Sequence, residues 1–391
     1  MKLTTEEKAM ADGKAGKAAQ KAMEILVTLG EIYDAEQLIP VTSVQIAGVS
    51  YANLQEPGLA WLEEMAVDGE IQVLTTLNPA GMDLQNWQKL GIDGEFAKNQ
   101  QRVVDAFQKL GAINTCSCTP YLFGNLPHYG QHIAWSESSA VCYANSVIGA
   151  RSNREGGPSA LSAAIIGKTP EYGYHLSKNR QPEVKVDVTA KLRGTHQFGA
   201  LGKELGDKLG NKLAYITGIP EASVEELKAL CASYATYGGI GMFHMENITP
   251  NPVHKIPEET FTVQAEDITQ VLQELRQATT IDFISIGCPH ASLAELENVA
   301  KKLNGKTVRK AMWITTSRPI KEIADRMGYT QMIENSGAIV AADTCCVVAP
   351  IKGRFVGLAT DSAKGCYYGA GRNQFEVSIM SVDELIEEAL K

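Results

Sequence analysis

Short apolar runs alternate along this chain with longer segments in which apolar residues recur every three or four positions. The runs are rich in β-branched residues and predict strands, whereas the periodic segments predict amphipathic helices. Strand, polar loop and helix follow one another from residue 38 to the end of the sequence. This order predicts an α/β fold with largely parallel sheets and helices packed on their faces.

The two ends of the sequence illustrate the helical pattern. Apolar residues at helical spacing predict a single helix over residues 5–29, which ends at Gly30. A β-branched run then predicts one strand over residues 38–46. At the other end, Ser381 and Glu384 form the spacing of a capping box, which predicts that the last helix begins there.

Two polar stretches interrupt the alternation and suggest how the chain is divided. A segment rich in Gly, Tyr, Lys and His begins at residue 168, and a Pro- and charge-rich stretch ends near residue 260. We therefore expect three α/β regions, which comprise residues 1–167, 168–260 and 261–391. No internal repeat or low-complexity tract is visible.

Composition narrows the classes of partner. The 391 residues are 44% hydrophobic and 21% charged, as in ordinary globular proteins, and carry a formal net charge of −9. Nucleic acid and anionic membranes need a basic surface, so neither is expected as a partner. The charged N-terminal segment lacks the apolar region of a signal peptide, and we expect a cytoplasmic protein whose cysteines are thiols or metal ligands.

Three cysteines share one local setting. Cys118, Cys288 and Cys345 each lie beside Gly, Pro or Thr where an apolar run gives way to a loop. They lie 170 and 57 positions apart, which suits a site assembled from distant loops better than the closely grouped ligands of an electron carrier. An iron–sulfur cluster, a zinc ion and simple buried thiols all remain open at this point, and Cys116 and Cys346 are adjacent competitors.

Other loops that follow strands carry groups suited to binding an anion. Gly48, Val49 and Ser50 follow the first strand, and Asn78 and Pro79 follow the second. Backbone N–H groups at such strand-to-helix turns bind anions, although a plain turn would have the same sequence. Ser138 and Ser139 offer hydroxyls at the start of a helix, where capping alone is the alternative.

Four cations are further candidates. Arg151 and Arg154 lie beside a Gly-Gly-Pro turn, and a guanidinium can bind a carboxylate or phosphate through two hydrogen bonds. A solvent-exposed connector is the alternative for this stretch. Lys364 and Arg372 lie in a glycine-rich segment that we predict to be a loop.

The chain resembles the large, catalytic subunit of the aconitase X family. The resemblance runs nearly end to end, and its most specific part is the long motif over residues 145–159, together with Gly-Val-Ser-Tyr at 48–51, Cys-Thr-Pro-Tyr at 118–121, Gly-Cys-Pro-His at 287–290 and Asp-Thr-Cys at 343–345. It implies an aconitase-like fold, with several α/β/α domains around a central cluster site. It also implies a [4Fe-4S] cluster with one open iron, held by Cys118, Cys288 and Cys345.

The resemblance further implies a hydro-lyase. Members dehydrate either (R)-5-phosphomevalonate, to trans-anhydromevalonate 5-phosphate, or cis-3-hydroxy-L-proline, and both reactions need a base for the α-proton and an acid or metal for the departing oxygen. We expect phosphomevalonate ahead of hydroxyproline. A separate small swivelling subunit is expected to supply a serine base, and the family pattern places Gly48, Val49, Ser50, Asn78 and Pro79 around the substrate, with Ser138 and Ser139 nearby.

Two readings from other classes remain. A redox or iron sensor would use the cluster without catalysis, but an open iron is a property that a sensor does not need. A zinc hydrolase is the poorer alternative, because no helix carries two histidines four residues apart.

Overall fold

The computed structural model describes residues 1–391 and contains fourteen α-helices and fourteen β-strands. The helices are α1 Thr5–Ala11, α2 Lys17–Ile32, α3 Tyr51–Met65, α4 Gly94–Leu110, α5 Ser138–Tyr143, α6 Gly157–Ile166, α7 Gly194–Leu209, α8 Val224–Tyr237, α9 Ala265–Glu274, α10 Leu293–Leu303, α11 Arg318–Arg326, α12 Tyr329–Asn335, α13 Ala363–Gly371 and α14 Val382–Leu390. None of these helices is long and apolar enough to cross a membrane.

The strands are mostly four residues long. In chain order they are β1 Leu38–Pro40, β2 Ser43–Ile46, β3 Leu74–Leu77, β4 Ala134–Trp135, β5 Lys168–Pro170, β6 Val184–Val188, β7 Ala214–Thr217, β8 His244–Met245, β9 Thr260–Val263, β10 Phe283–Ala291, β11 Ala311–Thr316, β12 Ile339–Ala342, β13 Gly357–Thr360 and β14 Glu376–Ile379. Short 3-10 turns (Trp87–Leu90, Pro120–Leu122, Gly173–His175, Ser177–Arg180) and one π-helical turn (Ala144–Ile148) complete the secondary structure.

Three parallel sheets form the framework. Their strand orders are β3-β2-β4, β8-β7-β6-β9 and β12-β11-β10-β13-β14, and every pairing within them is parallel. The only antiparallel pair is β1 with β5. The prediction of an α/β fold with largely parallel sheets is confirmed. Because all strands of a parallel sheet end at the same edge, each sheet gathers its functional loops there.

Two strand pairings cross the predicted boundaries at 167 and 260. Strand β5, Lys168–Pro170, pairs with β1 and so belongs with the first region. Strand β9, Thr260–Val263, pairs with β6 in the middle sheet. The sequence predicts neither strand, because pairing with a distant strand leaves little local sequence signal.

Several predicted elements differ in detail from the structure. The helix predicted over residues 5–29 is two helices, since Gly13 and Gly16 adopt positive φ angles of 80° and 98° between them. The strand predicted over residues 38–46 is split into β1 and β2, which join different sheets. The predicted glycine-rich loop that contains Lys364 is helix α13. The capping box at the start of α14 is confirmed.

One hydrophobic core joins the three regions. The largest of three clusters has 53 buried residues and includes Trp135 from the first region, Phe198 from the middle region and Phe283 from the third. Within the middle region α7 packs closely on α8, because a Cβ at Gly202 would lie only 2.7 Å from the Cβ of Ser233. The shared core fixes the three sheets relative to one another.

A buried ion-pair network ties the first region to the third. Arg318, at the start of α11, donates to Asp83 Oδ1 at 2.6 Å and also ion-pairs with Asp343. The other oxygen of Asp83 accepts a hydrogen bond from the backbone N–H of Ala342 at 2.9 Å. The loop after β3 is therefore fixed to the loop after β12, which carries Cys345.

We expect Arg318→Met to lower the free energy of unfolding by about 3–5 kcal/mol, because it leaves two buried carboxylates without their cation. Urea denaturation followed by circular dichroism measures the difference. The matched control is Arg102→Met, since Arg102 pairs with Glu56 and Glu63 at the surface. That pair should contribute less than about 1 kcal/mol. Equal losses in the two variants would contradict the proposed role of the network.

Candidate active site

A cavity of about 300 Å³ lies where loops of the first and third regions meet. Its wall combines backbone turns, thiols and charged side chains from eight separate segments of the chain. The residues that line it include Gly48, Asn78, Pro79, Cys118, Glu137, Ser138, Arg154, Cys288, Cys345, Lys364, Tyr368 and Arg372. The three cysteines singled out in the sequence thus lie on one cavity.

Each cysteine is preceded closely by a residue in the left-handed backbone region. Cys116, two positions before Cys118, has a φ angle of 42°, and Asp343, two positions before Cys345, has a φ angle of 66°. Gly287, directly before Cys288, has a φ angle of 105°, and a Cβ there would lie 2.1 Å from the carbonyl oxygen of Thr315. Left-handed non-glycine residues are uncommon and cluster at functional sites.

The imidazole of His290 joins all three cysteine loops. Its Nε2 lies 2.9 Å from the carbonyl oxygen of Thr344, and its Nδ1 lies 3.0 Å from the hydroxyl of Ser117. Its backbone N–H donates to the sulfur of Cys118 at 3.2 Å. Burial lowers the pKa of His290 to about 4, so the ring is neutral at pH 7. Because a carbonyl only accepts, Nε2 carries the proton and Nδ1 accepts from Ser117.

The thiols are in an environment that disfavours free thiolates. Burial is the largest cause that raises the pKa of Cys118, and the charges of Glu137 and Cys345 add to it. Burial also raises the pKa of Cys345, with Cys288 adding repulsion, and it raises the pKa of Cys288 although Lys364 opposes the shift. Three thiolates here would be stable only with a positively charged group between them.

The donors on this cavity wall include three thiols, which are the ligands that iron–sulfur clusters take. A zinc ion needs all its donors at about 2.0–2.3 Å from one point. No three His, Cys, Asp or Glu side chains converge in that way anywhere in the structure. A cluster instead offers several iron atoms, each of which takes its own thiolate. Three thiols from three loops around one cavity match that requirement.

A buried ion pair also lies on the cavity wall. The carboxylate of Glu137, at the N-terminus of α5, pairs with the ammonium group of Lys364 and accepts hydrogen bonds from Asn78 Nδ2 at 2.8 Å and Ser139 Oγ at 2.9 Å. Burial alone would raise the pKa of Glu137, but Lys364 and these donors lower it. Burial opposes the charge of Lys364, yet Glu137, Cys288 and Cys118 raise its pKa. Both groups are therefore charged at neutral pH.

Asn78 leaves one hydrogen-bond acceptor unused in the cavity. Its amide nitrogen is taken by Glu137, whereas its Oδ1 is buried and has no partner. A buried polar atom without a partner costs about 1–3 kcal/mol, which a ligand hydroxyl or amine would recover. Asn78 is thus suited to accept a hydrogen bond from a substrate.

Some of the remaining residues predicted around the substrate line the cavity, and the others contact the residues that line it. Gly48, Pro79 and Ser138 line the cavity. Ser50 donates to the carbonyl of Val348 at 3.0 Å and so ties the first loop to the Cys345 loop. Val49 is buried in the core of the first region. Ser139 bonds Glu137, as described above, so these three side chains position the wall rather than form it.

The two arginines of the Gly-Gly-Pro segment have different environments. Arg154 lines the cavity, and its guanidinium donates to the carbonyl of Gly239. Arg151 is not on the cavity wall. Its guanidinium donates to the carbonyl of His175 at 2.8 Å and to the hydroxyl of Ser177 at 2.9 Å. The structure therefore places Arg154 at the site and uses Arg151 to hold the neighbouring turn.

Two important residues were not selected from the sequence. Glu137 lies between serines that were read as a capping region, and its carboxylate does cap α5 by accepting from the N–H of Ser139. An acidic capping residue beside two serines is the signal that could have identified it. In the sequence, His290 is only one residue of a cysteine loop, because its contacts with distant loops have no sequence signature.

Comparison with known proteins identifies the family. Three family models match the chain: Aconitase X first domain over residues 1–178, second domain over 182–273 and third domain over 281–391. The structure superposes on the crystal structure of Thermococcus kodakaraensis aconitase X in its holo-form with a TM-score of 0.93 and 44% sequence identity, with all of both chains covered.

Curated relatives fall into two groups. The phosphomevalonate dehydratase large subunit of Methanothermobacter thermautotrophicus is 47% identical over 94% of this chain and 93% of its own length. The same subunit from Thermococcus kodakarensis is 44% identical over the whole of both chains. The cis-3-hydroxy-L-proline dehydratase of Hypocrea jecorina is 29% identical over 95% of this chain and 65% of its own length. On the family matches and these identities, the chain belongs to the aconitase X family.

Proposed function

We propose that this chain is the catalytic large subunit of a hydro-lyase that converts (R)-5-phosphomevalonate to trans-anhydromevalonate 5-phosphate. The observation that carries the proposal is the single cavity on which Cys118, Cys288 and Cys345 lie together with the charged Lys364. The identity of 43–47% to four phosphomevalonate dehydratase large subunits supports this choice of substrate. Hydroxyproline dehydratases are only 28–29% identical.

We infer that Cys118, Cys288 and Cys345 hold a [4Fe-4S] cluster with one iron that has no protein ligand. When bound, the cluster supplies a Lewis acid that polarises the departing hydroxyl. The raised pKa values of the thiols match such a role, because bound iron would offset the repulsion among the three thiolates.

The chain's own polar groups would bind and orient the substrate. The ammonium group of Lys364 attracts an anionic group such as the carboxylate, and Glu137 keeps it charged and in place. The free Oδ1 of Asn78 accepts a hydrogen bond from a substrate hydroxyl. Cys118, Cys345 and Lys364 are almost wholly buried, which keeps bulk water from this end of the cavity.

The reaction breaks two bonds, to the α-proton and to the β-hydroxyl, and releases water. No group on the cavity wall is an evident base, since Glu137 is held as the partner of Lys364. We propose that a serine of a separate small swivelling subunit takes the α-proton, in keeping with the words "large subunit" in the names of the relatives.

Anaerobic co-expression with the small subunit, followed by reconstitution with iron and sulfide, should give an enzyme that dehydrates (R)-5-phosphomevalonate. Cys288→Ala should lose turnover and most of the bound iron, whereas Cys231→Ala, a buried cysteine remote from the cavity wall, should keep both. Iron analysis and a product assay measure the outcome. Turnover of cis-3-hydroxy-L-proline alone would contradict the proposed substrate and identify the chain as a hydroxyproline dehydratase. A fully loaded cluster without turnover of either compound would favour a sensor.

His290→Phe should loosen the three cysteine loops. It leaves the Thr344 carbonyl without the partner that the ring provides and removes one of the partners of the Ser117 hydroxyl, which should destabilise the iron-free protein by about 1–3 kcal/mol. The reconstituted variant should also release iron faster to a chelator than the wild type does. His254→Phe, at an exposed position, is the control and should behave as the wild type. Unchanged stability and iron release in His290→Phe would refute the role given to the imidazole.

A further inference from the structure

Helix α13 presents a row of polar side chains to the cavity. Lys364 and Tyr368 of this helix line the cavity together with Arg372, the residue directly after its last turn. The three are four positions apart, which places them on one side of the helix. With a rise of 1.5 Å per residue, the Cα atoms of Lys364 and Arg372 are about 12 Å apart along the helix axis. The row therefore runs from the cysteine end of the cavity towards its other end.

Exposure to solvent increases in the same direction. Lys364 is only 8% exposed. Tyr368 and Arg372 are half-buried, and Arg154, which also lines the cavity, is exposed. The cavity thus has a closed end with the thiols and an open end with two guanidinium groups.

The two guanidinium groups at the open end have no counter-ion in the structure. Neither Arg154 nor Arg372 pairs with a carboxylate, and most of the other arginines do not either; these two differ from the rest because both line the cavity. Glu137 is the only carboxylate on the cavity wall, and Lys364 already occupies it. Arg154 bonds only the carbonyl of Gly239, which leaves most of its donors available.

Two unpaired guanidinium groups on one cavity suit a doubly charged anion, because each can donate two parallel hydrogen bonds to a phosphate. We propose that Arg372 and Arg154, with Tyr368 beside them, form the subsite for the phosphate of the substrate. The inference rests on the proposed function, and it assigns the recognition that separates a phosphorylated hydroxy acid from cis-3-hydroxy-L-proline. The carboxylate end of the substrate then lies towards Lys364 and the cysteines.

The test uses the reconstituted complex of large and small subunits and measures KM and kcat for (R)-5-phosphomevalonate. Arg372→Ala should raise KM about 10- to 100-fold, as expected for the loss of charge-assisted hydrogen bonds, with kcat changed much less. The KM of Arg372→Lys should lie between those of the wild type and Arg372→Ala, because an ammonium group is charged but lacks the paired donors of a guanidinium. Arg154→Ala should shift KM in the same direction by less, since Arg154 is more exposed.

Inhibition constants separate phosphate recognition from a structural effect. In Arg372→Ala the inhibition constant of inorganic phosphate should rise along with KM, whereas that of mevalonate, which lacks the phosphate, should stay unchanged. Arg354→Ala is the matched control, because Arg354 donates to the carbonyl of Leu90 and is not on the cavity wall. It should alter none of these constants.

Two results would overturn the subsite. Wild-type turnover with an unchanged KM in Arg372→Ala would place the phosphate elsewhere, and an equal loss of affinity for mevalonate would make the arginine a structural residue. Failure of the proposed function would look different, since the wild-type complex itself would then not turn over phosphomevalonate. In that case the assignment of the subsite to this substrate is overturned as well.

Discussion

The neutral imidazole of His290 is the interaction on which the site depends, because it is bonded to all three loops that carry the candidate ligands. The ring reaches the Cys118 loop through Ser117 and the Cys345 loop through Thr344, and the backbone N–H of His290 donates to the sulfur of Cys118. The loops come from two sheets that share no strand, so their relative position is otherwise set by long-range packing. Burial keeps the ring neutral, and this fixes the direction of both hydrogen bonds.

A second layer of contacts holds this arrangement from outside. Arg318 bridges Asp83 and Asp343, and Ser50 bonds the backbone two residues beyond Cys346. Cys116 and Asp343 adopt left-handed conformations, which non-glycine residues hold only where the surroundings enforce them. The same contacts that join the first and third regions therefore also maintain these strained turns.

Local sequence patterns identified the α/β class and the cysteine loops, because strands, turns and the residues at their ends have short-range signatures. The same patterns gave wrong predictions where long-range packing determines the local conformation or the contacts of a side chain. Helix α13 was read as a loop since it contains three glycines, yet a Cβ at Gly369 would lie 2.8 Å from Leu358, so that glycine permits close packing on β13. Likewise, nothing local separates Arg151 from Arg154, because the contacts of Arg151 with the 173–177 turn arise only in the folded chain.

The charge of the cavity differs from that of the whole chain. The protein carries a formal charge of −9, but with its thiols protonated the cavity wall holds three cations and the single carboxylate of Glu137. Charges more than about 8 Å apart are largely screened at physiological salt, so an approaching anion responds mainly to these local groups. At the closed end the charges of Lys364 and Glu137 cancel, so three thiolates there need the positive charge of bound iron. The open end keeps the positive charge of Arg154 and Arg372 in either state of the thiols. The two ends can therefore bind different parts of one anionic substrate.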